Sequence, residues 1–194
     1  MKTLVFVLSA LVLSLGAAEA QTWKADLAHS RVGFSVTHML IAEVDGRFTQ
    51  FDVTLNQGKE DFSGSTIEAK IKTASVTTEN ETRDKHLRSD DFFNAEKYPE
   101  IQFKSTSFEK TGDKSYKITG DMTIRDVTKN ITLEAKYLGG VTDARGNTRV
   151  GFRAATTINR FDFGVKWGKK LDTGGLIVSE NVDITLNLEL MKQQ

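Results

Sequence analysis

Alternation of apolar and polar residues is the feature that most limits what this chain can fold into. It is cleanest in NVDITLNLEL, residues 181–190. Successive side chains of a β-strand point to opposite faces, so every second residue of such a segment faces the core. The apolar set is Val182, Ile184, Leu186, Leu188 and Leu190. The segment therefore predicts a strand with one buried and one solvated face.

Similar segments follow one another along most of the chain. RVGFSVTH, residues 31–38, places four side chains on one face: Val32, Phe34, Val36 and His38. The alternation changes phase between Phe48 and Phe51, which predicts a β-bulge near Thr49. About eight or nine such strands with short polar links predict an all-β fold. The antiparallel sheet is expected to close into a barrel or to fold as a sandwich.

The inner face of this sheet is either ordinary core or the lining of a cavity. A barrel of about eight strands can be filled by side chains or can hold one small ligand. Several inward positions are small or polar: Thr73, Ser75, Ser105, Ser107, Gly120, Ala135 and Ala154. A tightly packed core normally has larger apolar residues at such positions, so this pattern favours a cavity.

The charged segment ETRDKHLRSDDFF, residues 81–93, interrupts the strands. Thr78 and Glu81 fit a capping box, in which the two side chains bind each other's backbone N–H groups. A short helix is therefore predicted from there to about Arg88. In a second unusual segment, residues 158–170, aromatic residues alternate with charge, which predicts either a strand end under a loop or a lip around an opening.

Two interpretations of the helix remain open. It can close one end of the barrel, with Phe92 or Phe93 in the core and the charged side chains in water. Alternatively, Arg83 and His86 lie at the mouth of a cavity. There the planar guanidinium and an imidazole N–H can bind an anionic or polar head group.

The first twenty residues have the three parts of a secretory signal peptide. Lys2 provides the positive charge, residues 4–15 the apolar run, and Ala18-Glu19-Ala20 the cleavage site. The apolar run is too short to span a bilayer, so no integral membrane segment is expected in the mature chain. The sequence predicts a signal peptide at 1–20, a single domain at 21–194 and a periplasmic location. The chain has no cysteine, so its fold is expected to form without disulfides.

Charge and motifs exclude several functions. The 26 basic and 26 acidic residues give a net charge of zero, which argues against nucleic acid and against charge-driven binding to anionic membranes. The three histidines lack the short spacing of a metal-binding pair, so no metal site is predicted. The sequence contains no G-x-S-x-G or H-E-x-x-H motif and no phosphate-binding glycine loop. We therefore predict no catalytic residues and no cofactor.

Several segments together carry a resemblance to a known family. They are DLAHSRVGFSVTHM, VDGRFTQFD, TRDKHLRSDDFFNAEKYPEIQFKS, GDMTIRDVTKNITL and NRFDFG, in this order. This set resembles the signature segments of the YceI family of lipocalin-like, polyisoprenoid-binding periplasmic proteins, over nearly all of residues 22–190. The resemblance implies an extended lipocalin-like antiparallel β-barrel with a long apolar pore and a short helix near one end. It also implies a possible homodimer and, as ligand, a polyprenyl chain or similar long-chain amphiphile.

The strand pattern and the resemblance together give the expected ligand-binding residues. These are Phe34, Val36, His38, Arg83, His86, Leu87, Phe92, Phe93 and Arg160. The leading hypothesis is an exported protein that binds and carries an isoprenoid or other long-chain lipid. One alternative is an enzyme that acts on the lipid head group with His38 or His86 as acid–base. The other is a stress-related structural protein whose barrel interior is only core.

Overall fold

Antiparallel strands close into a barrel in the computed structural model, which describes residues 21–172 and 174–194. The predicted signal peptide, residues 1–20, lies outside these described residues. The elements are β1 (Thr22–Ala25), β2 (Arg31–His38), β3 (Ala42–Phe48), β4 (Phe51–Asn56), β5 (Thr66–Lys72), β6 (Val76–Thr77), α1 (Glu81–Arg88), β7 (Glu100–Lys110), β8 (Ser115–Ile124), β9 (Val127–Thr142), β10 (Thr148–Asn159) and β11 (Asn181–Lys192). This architecture confirms the predicted all-β fold class, and it is the barrel rather than the sandwich.

The order of strands around the barrel is β1-β4-β5-β7-β8-β9-β10-β11, and pairing of β11 with β1 closes it. The first part of β11 pairs with β2, whereas its last residues pair with β1, so β1 and β2 act as one interrupted strand. Strands β3 and β4 are related in the same way, because β3 pairs with β2 and β4 pairs with β1. The barrel wall therefore contains strands that break and resume in the same layer.

The break between β3 and β4 lies where the alternation changes phase. The N–H of Thr49 donates to the carbonyl of Ser75 at 3.2 Å, and the N–H of Gln50 donates to the Ser75 hydroxyl at 3.1 Å. Phe48 and Phe51, on either side, are both buried. The predicted change of facing is thus confirmed, although it is a gap between two strands rather than a bulge within one.

An aromatic cluster fills one end of the barrel. Its members are Trp23, Phe62, Phe108, Tyr116, Tyr137 and Phe152. The ring of Phe62 lies at its centre, with centroids 5.8 Å from Trp23, 5.5 Å from Tyr137 and 5.3 Å from Phe152. Such tilted and edge-to-face pairs are favourable beyond the apolar area that they bury. The end of the barrel that holds this aromatic cluster is therefore packed solid.

Helix α1 lies at the opposite end, which we call the helix end. Its N-cap is Asn80, whose side-chain oxygen accepts from the N–H of Arg83 at 3.0 Å. The predicted capping box of Thr78 and Glu81 is therefore wrong. Thr78 instead donates its backbone N–H and its hydroxyl to the carboxylate of Asp84, at 2.7 and 2.5 Å.

Asp84 anchors α1 to the barrel. Its side chain is buried, and it also accepts from the hydroxyl of Thr77 at 2.9 Å. Burial raises the pKa of this carboxyl, but the hydrogen bonds from Thr78 and Thr77 outweigh burial, so the pKa is lowered overall. The charged form is thus stabilised, and it fixes the turn of chain that leads from β6 into the helix.

Candidate functional site

A cavity of about 150 Å³ lies inside the barrel between the aromatic cluster and α1. Its wall is apolar throughout. Side chains from the strands form most of it, including Val32, Phe48, Val53, Ile67, Ala69, Ile71, Ile101, Phe103, Met122, Leu133, Ile184 and Leu186. Because the aromatic cluster fills the other end, the interior is a blind cavity and not a pore that runs through the barrel.

Six of the nine predicted ligand-binding residues line this cavity: Phe34, Val36, Leu87, Phe92, Phe93 and Arg160. The other three, His38, Arg83 and His86, are not part of the cavity wall. The six come from β2, from α1 and the turn after it, and from the turn that follows β10. The fold thus gathers at the helix end residues that lie far apart in the sequence.

Phe34 reaches the cavity across a glycine. A Cβ atom at Gly46, its partner on β3, would lie 2.1 Å from the Cζ of Phe34, so glycine is needed there. The Phe34 ring lies 5.9 Å from that of Phe48, and Phe48 makes an edge contact with Phe93 at 5.8 Å. These three rings link the strand wall to the turn after α1.

The turn after α1 covers the cavity at the helix end. Phe93 donates its N–H to the carbonyl of Leu87 at 3.0 Å, and the side chains of both residues line the cavity. The His86 ring makes edge contacts with Phe92 at 5.0 Å and with Trp167 at 5.5 Å, and its Nε2 lies 2.8 Å from a carboxylate oxygen of Asp91. His86 therefore packs on the outer side of the residues that line the cavity.

Arg83 and His38 also have partners outside the cavity. Arg83 donates through Nε to the Thr78 hydroxyl at 2.7 Å and through Nη2 to the Thr78 carbonyl at 2.9 Å. His38 ends β2, and its backbone forms an isolated bridge with Val178. Contact of Arg83, His86 or His38 with a lipid head group stays a prediction.

Arg160 lies under the loop between β10 and β11. Its guanidinium donates to four backbone carbonyls: those of Val165 at 2.8 Å, Trp167 at 2.7 Å, Val178 at 3.0 Å and Ser179 at 2.8 Å. Burial lowers the pKa of this group below its ordinary value, while nearby Glu180 opposes that change. The guanidinium faces the loop, so the wall of the cavity stays apolar even though Arg160 is one of its lining residues. Arg160 thus holds together the segments that close the cavity at the helix end.

Sequence reasoning missed some cavity residues and misplaced others. Phe163, Val165 and Val178 line the cavity from the β10–β11 connection. The alternation of aromatic and charged residues in 158–170 was the available signal, and the lip interpretation accounts for Phe163. The small inward residues do not form the void, because none of the seven is part of its wall. Gly120, for example, is small because a Cβ there would lie 2.6 Å from the ring of Phe103.

One group of possible metal ligands occurs in the described part of the chain, outside the barrel. The ligand atoms of Asp26, His29 and Glu189 lie within 4.8 Å of one another. Arg149, however, donates through Nη1 to Asp26 at 2.6 Å and to Glu189 at 2.5 Å. Hydrogen bonding from Arg149, followed by that from His29, lowers the pKa of Asp26 to about 2. A guanidinium takes the place between the carboxylates that a cation would need, so this group is an ion-pair network.

A closed antiparallel barrel around an apolar cavity is the architecture of proteins that hold a small apolar ligand. The chain belongs to the YceI-like domain family, whose model matches residues 23–190. This match confirms the resemblance that the sequence segments indicate. Among relatives, the chain is 38% identical over 188 residues to protein YceI of Escherichia coli O157:H7, covering 96% of this chain and 95% of the relative. It is 36% identical over 185 residues to a UPF0312 protein of Pseudomonas putida KT2440, covering 94% and 93%.

Solved structures have the same fold. A YceI protein of Campylobacter jejuni aligns with a TM-score of 0.71 at 32% identity, covering 87% of this chain and 96% of its own. Burkholderia cenocepacia BcnA aligns with a TM-score of 0.75 at 24% identity, covering 85% and 98%. A polyisoprenoid-binding domain from Saccharophagus degradans aligns with a TM-score of 0.62 at 14% identity, covering 90% and 99%, and shows the fold alone. Within residues 21–172 and 174–194, no helix is long and apolar enough to cross a membrane.

Proposed function

We propose that this protein is a periplasmic carrier that holds the apolar tail of an isoprenoid or similar long-chain lipid in its barrel. The observation that carries the proposal is the apolar cavity between the aromatic cluster and α1. A water molecule finds no hydrogen-bond partner on such a wall. An apolar tail, in contrast, gains about 0.8 kcal/mol of free energy for each methylene that it buries there. The polyisoprenoid-binding domain with the same barrel supports the choice of ligand class.

The size of the cavity limits how the tail binds. A cavity of about 150 Å³ is comparable with the engineered apolar cavities that admit benzene, so it takes about one isoprene unit without rearrangement. A longer tail must displace side chains at the helix end, because the aromatic cluster blocks the opposite end of the barrel. Phe34 and Phe93 are only partly buried, so their rings are candidates for this movement.

The direction of insertion follows from the same asymmetry. The tail would enter past α1 and stop at the aromatic cluster, leaving its polar head group outside the apolar wall. Arg83 and His86 lie on the outer side of this end, where a head group could meet them. Export rests on the signal-peptide pattern of residues 1–20, which also supports a periplasmic location.

Mass spectrometry of the purified protein tests this function. Organic extracts and native spectra are expected to contain a long-chain lipid at near-stoichiometric amount. Ala69→Phe, which fills the cavity from β5, should lose this lipid. Ala155→Phe places the same ring on the exposed face of β10 and should keep it, which makes it the matched control. Equal lipid content in both variants, or no uptake of any long-chain ligand by the wild type, would refute the proposal.

A further inference from the structure

The turn between β2 and β3 exposes three consecutive large apolar residues. Met39, Leu40 and Ile41 are 44%, 65% and 89% exposed, and we call them the hairpin tip. The backbone angle φ is 50° at Met39 and 66° at Leu40, and Ile41 donates its N–H to the carbonyl of His38 at 3.2 Å. Met39 and Leu40 are thus the two central residues of a β-turn from His38 to Ile41, within a three-residue connection. A β-turn with positive φ at both central residues normally has Asn-Gly or a similar pair there. Bulky side chains are therefore held there at a conformational cost and in contact with water, which points to a use outside the fold.

The hairpin tip lies beside the cavity. Val36, on the same strand, lines the cavity, and so does Val178 in the neighbouring loop. Met39 donates its N–H to the carbonyl of Ile177 at 2.8 Å, so the hairpin tip is attached to that loop. The exposed residues thus mark the helix end, opposite the aromatic cluster, where a tail would enter.

We propose that the hairpin tip inserts into a lipid bilayer and brings the helix end of the barrel to the membrane, where an apolar tail passes into the cavity. This inference rests on the proposed function, because the bilayer that the hairpin tip enters is also the source of the lipid that the cavity binds. Apolar side chains at a convex tip gain free energy when they enter the acyl boundary of a bilayer. Because the hairpin tip lies beside the cavity, a tail that leaves the bilayer there crosses only a short distance before it is buried in the barrel.

The charges around the hairpin tip and its small area favour a bilayer over a protein as its binding partner. The start of β3 and the described part of the β10–β11 connection, to which the hairpin tip is attached, contain both signs of charge. They include Lys166, Lys169, Lys170, Asp172, Glu43 and Glu180. Binding should therefore depend on apolar insertion and change little with salt or with anionic lipid. A stable dimer needs about 800 Å² from each partner, far more than three side chains at a convex tip provide.

Co-flotation with phosphatidylcholine vesicles tests the inference. Met39→Asn/Leu40→Gly gives the turn its preferred residues and removes two of the three apolar side chains of the hairpin tip. It is expected to raise the midpoint of thermal unfolding and to weaken vesicle binding at least about tenfold. Leu138→Ser/Val141→Ser is the matched control, because these residues are 51% and 63% exposed at the opposite end of the barrel. The control variant should bind vesicles like the wild type.

Two further measurements separate the possible outcomes. Uptake of N-phenyl-1-naphthylamine from vesicle-free solution reports on the cavity alone, and the hairpin-tip variant should take it up as the wild type does. If the wild type binds vesicles through the hairpin tip but takes up no probe, docking holds and the proposed function fails. Vesicle binding that is absent in the wild type, or equal in the hairpin-tip variant, overturns the inference. Light scattering that shows a dimer lost in the hairpin-tip variant, without vesicle binding, assigns the surface to a second copy and also overturns it.

Discussion

Replacing Arg160 by methionine should loosen the helix end of the barrel. Methionine keeps much of the apolar stem but removes the guanidinium that donates to four carbonyls. Each hydrogen bond from a charged donor is worth about 1.5–3 kcal/mol, but part of that sum is offset because the buried charge is removed as well. The change leaves buried carbonyl groups without a donor, which costs about 1–3 kcal/mol for each group, and we expect a net loss of about 3 kcal/mol in the free energy of unfolding.

Urea denaturation and amide hydrogen exchange together measure this effect. Exchange at the N–H groups of Ile177 and Ser179, which donate to Lys169 and Thr37, should become faster in Arg160→Met. Arg160→Lys should recover only part of the loss, because an ammonium group cannot reproduce the planar fork. Arg153→Met removes an exposed arginine from β10, the strand that precedes Arg160, and should cost less than about 0.5 kcal/mol. A loss below about 1 kcal/mol in Arg160→Met, with unchanged exchange, would show that the loop does not depend on these carbonyl contacts.

Two further predictions concern Asp26 and Asn80. The pKa of Asp26 is lowered to about 2 in the folded protein, so its ion pair with Arg149 stabilises the fold above about pH 4 and is lost as the pH falls towards 2. Asp26→Asn should therefore lower the free energy of unfolding by about 2 kcal/mol at pH 7. Urea denaturation at a series of pH values should show this difference vanish near pH 2. A difference that is constant with pH would contradict the reasoning. Asn80→Ala removes the N-cap of α1 and should lower the free energy of unfolding by about 1 kcal/mol in the same assay. Asn80→Asp keeps a capping oxygen and should cost little. Equal losses in the two variants would argue against capping.

The strand pattern predicts most of the fold because it depends on local sequence. The alternation in residues 181–190 becomes β11, whose Ile184, Leu186 and Leu188 line the cavity. The change of phase between Phe48 and Phe51 likewise marks a real break in the barrel wall. Both features can be read from neighbouring residues alone, since facing in a strand depends only on position along it.

Other features depend on contacts between distant residues and could not be predicted in this way. The aromatic cluster fills one end because Phe62 comes from a loop between β4 and β5 and meets Tyr137 and Phe152 from later strands. The sequence pattern predicts Thr78 as the N-cap of α1, but burial of Asp84 gives Thr78 a stronger partner. Pattern alone does not say which of two hydrogen-bonding options a buried group will take.

The final strand has a consequence for how the chain reaches its folded state. β11 pairs with β10, β2 and β1, and the side chain of Gln21 donates to the carbonyl of Gln193, 172 positions away. Until β11 is in place, each of its three partners keeps an unsatisfied row of N–H and C=O groups on that side. Barrel closure is thus a late event that brings together the most distant parts of the chain, and such contacts form slowly. During that interval the unclosed barrel is most exposed to aggregation, and any factor that shields those rows would raise the yield of folded protein.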